Sequence, residues 1–346
     1  MNHGNFRVSK LALLALWMVC TLASALPARA GYHLLKKVTL GGEGFWDYLI
    51  CDSANRHVFV SHGTHVIVVD ADTYAVVGDI PDTQGVHGIA LAPDLGRGFT
   101  SNGRSNNVTI FDLKTFKILG TVATGQNPDA IIYDPASHRV FTMNGRSGDS
   151  TAIDAATGKV AGTIPLGGKP EFATADGAGH VYVNIEDKST VAEIDSNALT
   201  VKNVWPIAPG EEASGMAIDI AHRRLFSGCH NKVMVVMDAD SGKVIATPPI
   251  GQGVDANAFD PGTGLAYSSN GDGTLTVVHE DSPDKFTVVE NVSTQRGART
   301  MALDTKTRNV FLVTAEFGPP PPATADQPRP RPTIVPGSFT LLVFGN

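Results

Sequence analysis

Cysteine is scarce. The 346 residues contain three, and Cys20 lies in an N-terminal segment expected to be removed, so a disulfide framework is excluded. Cys51 and Cys229 are read as free thiols. No phosphate loop, dinucleotide fingerprint or c-type haem motif occurs, and no nucleophile-elbow sequence surrounds a serine. No window sustains the 3.6-residue apolar period of an amphipathic helix, which excludes a helical solenoid. Positive charge is not in excess: the formal charge is −7, and loss of Arg7, Lys10 and Arg29 with the N-terminal segment takes it to −10. A chain of that sign does not draw nucleic acid or an anionic membrane by its overall field.

Residues 1–30 read as a secretory signal peptide. Arg7 and Lys10 form a basic stretch, Leu11 to Leu22 an apolar run, and Ala28-Arg29-Ala30 a small-x-small cleavage site. The run is too short to span a bilayer and lacks a stop-transfer flank. Val19 stands before Cys20, where lipidation needs a small residue, so cleavage after Ala30 is preferred. Residues 31–346 are then expected in the periplasm or outside the cell, with no membrane span.

What remains repeats itself. FWDYLICDSANRHVFVSHG from Phe45, VHGIALAPDLGRGFTSNG from Val86 and PDAIIYDPASHRVFTMNG from Pro128 align with four later stretches beginning at Pro170, Ala213, Val254 and Ala298. Equivalent positions are Asp47, His87, Asp129, Glu171, Ser214, Asp255 and Arg299, and their spacings are 40, 42, 42, 43, 41 and 44. Each unit reads as four short strands rich in β-branched and aromatic residues, bounded by Gly, Pro, Asp or Asn. A meander repeating at about 40 residues is the period of a propeller blade. The sequence therefore predicts an all-β fold, a single seven-bladed β-propeller of four-stranded antiparallel blades. The last unit lacks a fourth strand, and His33 to Leu40 resembles one. Pairing of Leu34–Leu40 with Phe339–Phe344 would close the ring and remove an exposed edge.

The phrases HRVFTMN, STAIDAATGKVAGTIPLGGKP and HVYVNIEDKSTVAEID resemble the repeat of the YVTN β-propeller family, which includes YncE-like periplasmic proteins. The resemblance runs along essentially all of residues 31–346. It implies a propeller fold and a periplasmic binding or interaction role.

Comparing the seven copies separates scaffold from candidate chemistry. Five residues beyond each aligned position stand Asp52, Ala92, Asp134, Asp176, Asp219, Asp260 and Asp304. An Asp there accepts hydrogen bonds from its own turn and is read as structural. The aligned positions themselves differ from copy to copy, as a scaffold role would not require. Asp47, His87, Asp129, Glu171, Ser214, Asp255 and Arg299 are expected to encircle one channel mouth as a ligand-binding ring. The loops between second and third strands should share that face. They bring His62, His65, Asn102, Asn144, Glu186, Cys229, His230, Asn270 and Glu316.

Such a ring admits a divalent metal ion. Glu171, Asp255, Asp129 and His87 are the candidate ligands, oxygen for Ca²⁺ or Mg²⁺ and added imidazole for Zn²⁺. It equally admits ion pairs between neighbouring blades, Asp47 with His87 and Asp255 with Arg299. His62-Gly-Thr-His65 has a short chelating spacing, although two rings on a hairpin need not converge. A triad of Ser214, His87 and Asp129 fails because Ser214 is three blades from His87. Cys51 and Cys229 lie across the ring and should not pair. The proline-rich stretch 317–337 interrupts the last unit. It reads as a surface insertion or as a lid whose Arg329 and Arg331 reach the acidic mouth.

Two functions follow. The first is a non-catalytic scaffold binding a small molecule or a protein through the polar mouth. The second is a metal-dependent hydrolase of lactonase or esterase type, with Glu171 and Asp255 joined by Asn102, Asn144 and Asn270. Propeller lactonases with such metal centres are six-bladed, which weighs against the second.

Overall fold

A strand that ends on Asp, turns within a few residues and resumes with a β-branched run can only return antiparallel to itself, and this chain does so throughout. The computed structural model describes residues 1–3, 31–42, 44–322, 330 and 332–346. The signal-peptide expectation, and the roles given to Arg329 and Arg331, lie outside the described residues.

Gly31–Asn346 form one compact unit of seven four-stranded antiparallel sheets. Blade one comprises Trp46–Asp52, His57–His62, His65–Asp70 and Val76–Ile80, and blades two to six repeat the pattern. Blade seven takes Met301–Leu303, Val310–Thr314 and Thr340–Gly345 from the C-terminal end and His33–Thr39 from the N-terminal one. The closing pair runs from His33 opposite Gly345 to Thr39 opposite Thr340, and the Leu40 amide donates to the Phe339 carbonyl. This is the predicted closure. Innermost strands of successive blades pack side by side, and that of blade seven returns to that of blade one. Among the described residues no helix is long and apolar enough to cross a membrane.

The core lies between the sheets. The third residue of the second strand in blades one to six, and the second in blade seven, is aromatic: Phe59, Phe99, Phe141, Tyr182, Phe226, Tyr267 and Phe311, all fully buried. Burying one such ring contributes about 2–3 kcal/mol. At the seam, Val58, Val60 and Val69 of blade one meet Phe311, Val313 and Leu341 of blade seven.

The turn aspartates behave as the sequence predicts. Asp52 accepts the amides of Ala54 and Asn55, Asp134 those of Ala136 and Ser137, and Asp260 that of Gly262. Arginines add a latch that the sequence reading missed. Arg56 Nη1 is 2.7 Å from Asp304 of the preceding blade. Arg223 Nη1 is 2.8 Å from Asp176, and Arg308 Nε is 3.5 Å from Asp260. These pairs tie consecutive blades on the face opposite the ring of aligned positions.

Candidate functional site

The ring residues owe their direction to backbone irregularities. In six innermost strands the pairing register slips where the ring residue sits: between Trp46 and Leu49, Val86 and Ile89, Pro128 and Ile131, Pro170 and Ala173, Ala213 and Met216, and Val254 and Ala256. A bulge takes a residue out of the ladder and re-aims its side chain. Buried polar groups on the second strands of blades two, four and six then fix the ring backbone. The Ser101 hydroxyl donates to the Asp129 carbonyl, Asn184 Nδ2 to the Ser214 carbonyl at 2.8 Å, and the Ser269 hydroxyl to the Arg299 carbonyl. Each reaches from one blade to the next.

The side chains so placed form three linked groups. His87 Nδ1 is 2.5 Å from Asp47 Oδ2 and 3.6 Å from Asp129 Oδ1. Lys169 Nζ is 2.6 Å from Glu171 Oε1 and also pairs with Glu186. Arg299 Nε is 3.2 Å from Asp255 Oδ2, and the Ser214 hydroxyl donates to Asp255 Oδ1 at 3.3 Å. Ion pairing between neighbouring blades is therefore realised for both predicted pairs. Five carboxylates, Asp47, Asp129, Glu171, Glu186 and Asp255, share three cations, His87, Lys169 and Arg299.

That imbalance shows in the protonation of the ring. Burial first, then repulsion from Asp47 and its other neighbours, pushes Asp129 above the ordinary carboxylate range. Burial and Asp129 do the same to Glu171. Burial raises Asp255 as well, although Arg299 opposes it. Burial alone would lower His87, but the Asp47 hydrogen bond and the charge of Asp129 outweigh it and raise the imidazole to about 9. The ring concentrates negative potential and holds protons against it.

Above the ring lies a cavity of about 620 Å³, lined by Asp47, His87 and Arg299 within and by Phe45, Trp46, Arg104 and Arg146 around them. Phe45 stands 64% exposed there. Tyr48 and Phe172, from blades one and four, meet across the axis with ring centroids 5.0 Å apart. They line a second, mainly apolar cavity of about 520 Å³ that continues to Pro135, Gly177 and Thr305 at the far turns. The base of the proline-rich stretch adjoins the mouth: Phe317 pairs with Ile334 and lies 6.1 Å from the Trp46 ring.

Several expected contributors are elsewhere. Asn102, Asn144 and Asn270 are buried within their blades. Asn102 Nδ2 donates to Asn107 and Thr109, Asn144 Nδ2 to Asp149 and Thr151, and Asn270 Nδ2 to Thr274 and Thr276. Each amide completes the hairpin that follows it and is not available to a ligand. His62 lies flat on Phe339 at 4.3 Å, and burial lowers it to about 4. His65 faces Asp79 at 3.8 Å and stands edge-on to His62, with ring centroids 5.2 Å apart. Cys51 and Cys229 are free thiols, and burial pushes each up to about 12. Cys229 is buried, while His230 faces Glu212 at 3.3 Å.

The four candidate metal ligands divide in the same way. Asp129 and His87 join Asp47, and one ligand atom from each lies within 4.8 Å of the others. Glu171 is held by Lys169 and Asp255 by Arg299. The reading also missed Lys169, two residues before Glu171, and the Tyr48–Phe172 pair one residue after ring positions. Inspection of the flanking positions in the same alignment brings both out.

Neither known family patterns nor curated protein sequences match this chain. Solved structures do resemble it. A chain of the mitotic checkpoint complex matches with a TM-score of 0.73 and 16% identity over 99% of both chains. A chain of hydrazine synthase from Kuenenia stuttgartiensis matches with a TM-score of 0.65 and 15% identity, over 80% of this chain and 95% of that one. Identities so low speak to the fold alone, and the fold is a seven-bladed β-propeller.

Proposed function

We propose that this chain is an exported, non-catalytic binding module that takes a ligand bearing a basic group at its channel mouth. One observation carries the reading: carboxylates from four blades, Asp47, Asp129, Glu171 and Asp255, converge on one opening with too few internal cations to balance them. A cationic group entering the mouth would relieve that repulsion, and the exposed Phe45 and half-buried Trp46 offer cation–π faces beside it. Arg104 and Arg146 at the outer lining suit a negative group on the same ligand, as in a small zwitterion or a peptide segment. The signal-peptide pattern of residues 1–30 supports export, and the repeat phrases support a place among YVTN-repeat, YncE-like periplasmic proteins. A similar propeller takes part in a protein complex, which accords with a binding role.

Trp46 reports the test, with Trp205 of blade four as the other tryptophan beyond residue 30. Putrescine and a Lys-Arg dipeptide should give a saturable fluorescence change, weakened about tenfold or more by Asp129→Asn with Glu171→Gln, and glutarate should give none. Because the ring carboxyls retain protons near neutrality, binding should also release protons, seen as a calorimetric enthalpy that varies with the buffer. No saturable response to either cation, or an equal response to glutarate, overturns the reading.

The clustering of Asp47, His87 and Asp129 supports the second reading, a metal-dependent lactonase or esterase. His87 raised to about 9 weighs against it, since an imidazole must shed that proton to bind a metal at neutral pH. EDTA-sensitive turnover of a lactone or ester, lost in Asp47→Asn, would establish it in place of the first.

A further inference from the structure

On the face opposite the mouth, arginines latch three pairs of consecutive blades, and the junction of blades five and six has no such cation. The residue four places after the turn aspartate has a left-handed backbone in blades one, five and seven: Arg56 at φ 62, Arg223 at φ 57 and Arg308 at φ 65. Each reaches the aspartate of the preceding blade. In blade six that position is Gly264, with φ 66, and it has no side chain to send to Asp219. A second carboxylate stands there instead. Glu280 lies near the end of the third strand of blade six, Thr274–Ser282, and its side chain is 3% exposed.

This acid is short of donors. His222 Nδ1 lies 2.7 Å from Asp219 Oδ2 and 3.0 Å from Glu280 Oε1, but one ring nitrogen carries one proton, and its hydrogen bond goes to Asp219. Neither Glu280 oxygen accepts a hydrogen bond from an amide or a cationic side chain, and the carboxyl of Asp219 stands within hydrogen-bond reach of it. Nearby Arg224 is committed to Asp238 at 2.7 Å and Asp284 at 3.1 Å. A buried carboxylate without a donor, facing a second carboxylate, is a costly arrangement unless positive charge sits between them.

We propose that Asp219, His222 and Glu280 bind a divalent transition-metal ion, with Zn²⁺ the best fit, at the junction of blades five and six. One ligand atom from each lies within 4.8 Å of the others, so small side-chain movements bring all three to bonds of about 2.0–2.2 Å around a central ion. A neutral imidazole and two carboxylates balance a dication. One nitrogen with two oxygens suits Zn²⁺ better than Ca²⁺, which takes six to eight oxygens. The half-exposed His222 and a cavity of about 380 Å³, which it lines with Asp219, Glu280, Pro261 and Pro283, leave a path for the ion and room for water. The metal then does the work of the absent arginine and ties blade six to blade five. This site is independent of the channel mouth.

The purified protein, stripped with EDTA, is titrated with ZnCl₂ by calorimetry and with Co²⁺ by visible absorption. Zn²⁺ should bind at one site and raise the melting temperature, and Co²⁺ should give the ligand-field bands of a nitrogen–oxygen site. Glu280→Gln and His222→Ala should each weaken Zn²⁺ by at least tenfold, the least that loss of even a supporting group costs a metal site. Asp47→Asn should leave it unchanged. Gly264→Arg introduces the arginine that blades one, five and seven carry. The nearest atoms to a β-carbon there are 3.5–4.0 Å away, so this variant should fold and no longer gain stability from Zn²⁺. Wild-type Zn²⁺ affinity in both Glu280→Gln and Gly264→Arg, or binding lost only in Asp47→Asn, overturns the proposal.

Discussion

Replacing Arg56 with alanine should loosen the seam where the two ends of the chain meet. Its guanidinium pairs at 2.7 Å with Asp304, whose side chain is fully buried, while Arg56 itself is 13% exposed. Removing one partner of a buried pair typically costs 3–5 kcal/mol, because the other charge is left behind. Asp304 keeps the Thr307 hydroxyl and the Lys306 amide, which places the loss near the lower end, about 3 kcal/mol. For a domain of this size that is a fall of about 5 °C in melting temperature. The second partner of Arg56, Asp72, is 58% exposed, so Asp72→Asn should leave the melting temperature nearly unchanged. Burial alone would raise Asp304, but hydrogen bonds from Thr307, Ser53 and Arg56 outweigh it and hold the carboxyl below its ordinary value. A depressed folded pKa contributes stability above the unfolded value of about 4 and loses it as pH falls through the folded one. The gap between wild type and Arg56→Ala should therefore be widest near neutrality and narrow in strong acid. Thermal melts at neutral and acid pH decide it. A loss under about 1 °C at neutral pH, or the same loss at both, refutes the reasoning.

Two further outcomes follow from the geometry. Asn144→Ala strands the buried Thr142 hydroxyl and takes a donor from Asp149 and Thr151, and should cost about 2–3 kcal/mol, with putrescine binding unchanged. A stable variant with weakened binding would return that amide to the site. Deleting residues 33–40 leaves Thr340–Gly345 as an open edge. Gel filtration should then show association or aggregation, and an unchanged monomer with an unchanged melting temperature would contradict the closure.

The fold was legible because its devices repeat. Seven aligned segments, an aspartate at six of seven first turns and a spare N-terminal strand suffice to count the blades and close the ring. Ring membership was legible for the same reason, since Asp47, His87, Asp129, Glu171, Ser214, Asp255 and Arg299 vary where a scaffold would not. The direction of neighbouring side chains was not. The strand-end asparagines look as polar as the ring, yet Asn102, Asn144 and Asn270 turn inward because the following hairpins need a donor. The bulges that aim the ring have no residue signature, and Lys169 and Tyr48 stand at flanking positions of the same aligned segments, where only the folded geometry gives them a role. Glu280 escaped notice because it lies on a third strand, outside the aligned segments, and only folding brings it to Asp219.

The claim that the mouth is a field built to hold positive charge is tested most directly by the protonation of His87, followed by NMR of its ring in the wild type and in Asp129→Asn. Its raised folded value means that its pairing stabilises fully below pH 6.5 and is lost as pH rises through about 9. The account predicts a titration midpoint near 9 that falls when Asp129 is neutralised. A midpoint at or below 6.5, unmoved in Asp129→Asn, would contradict it.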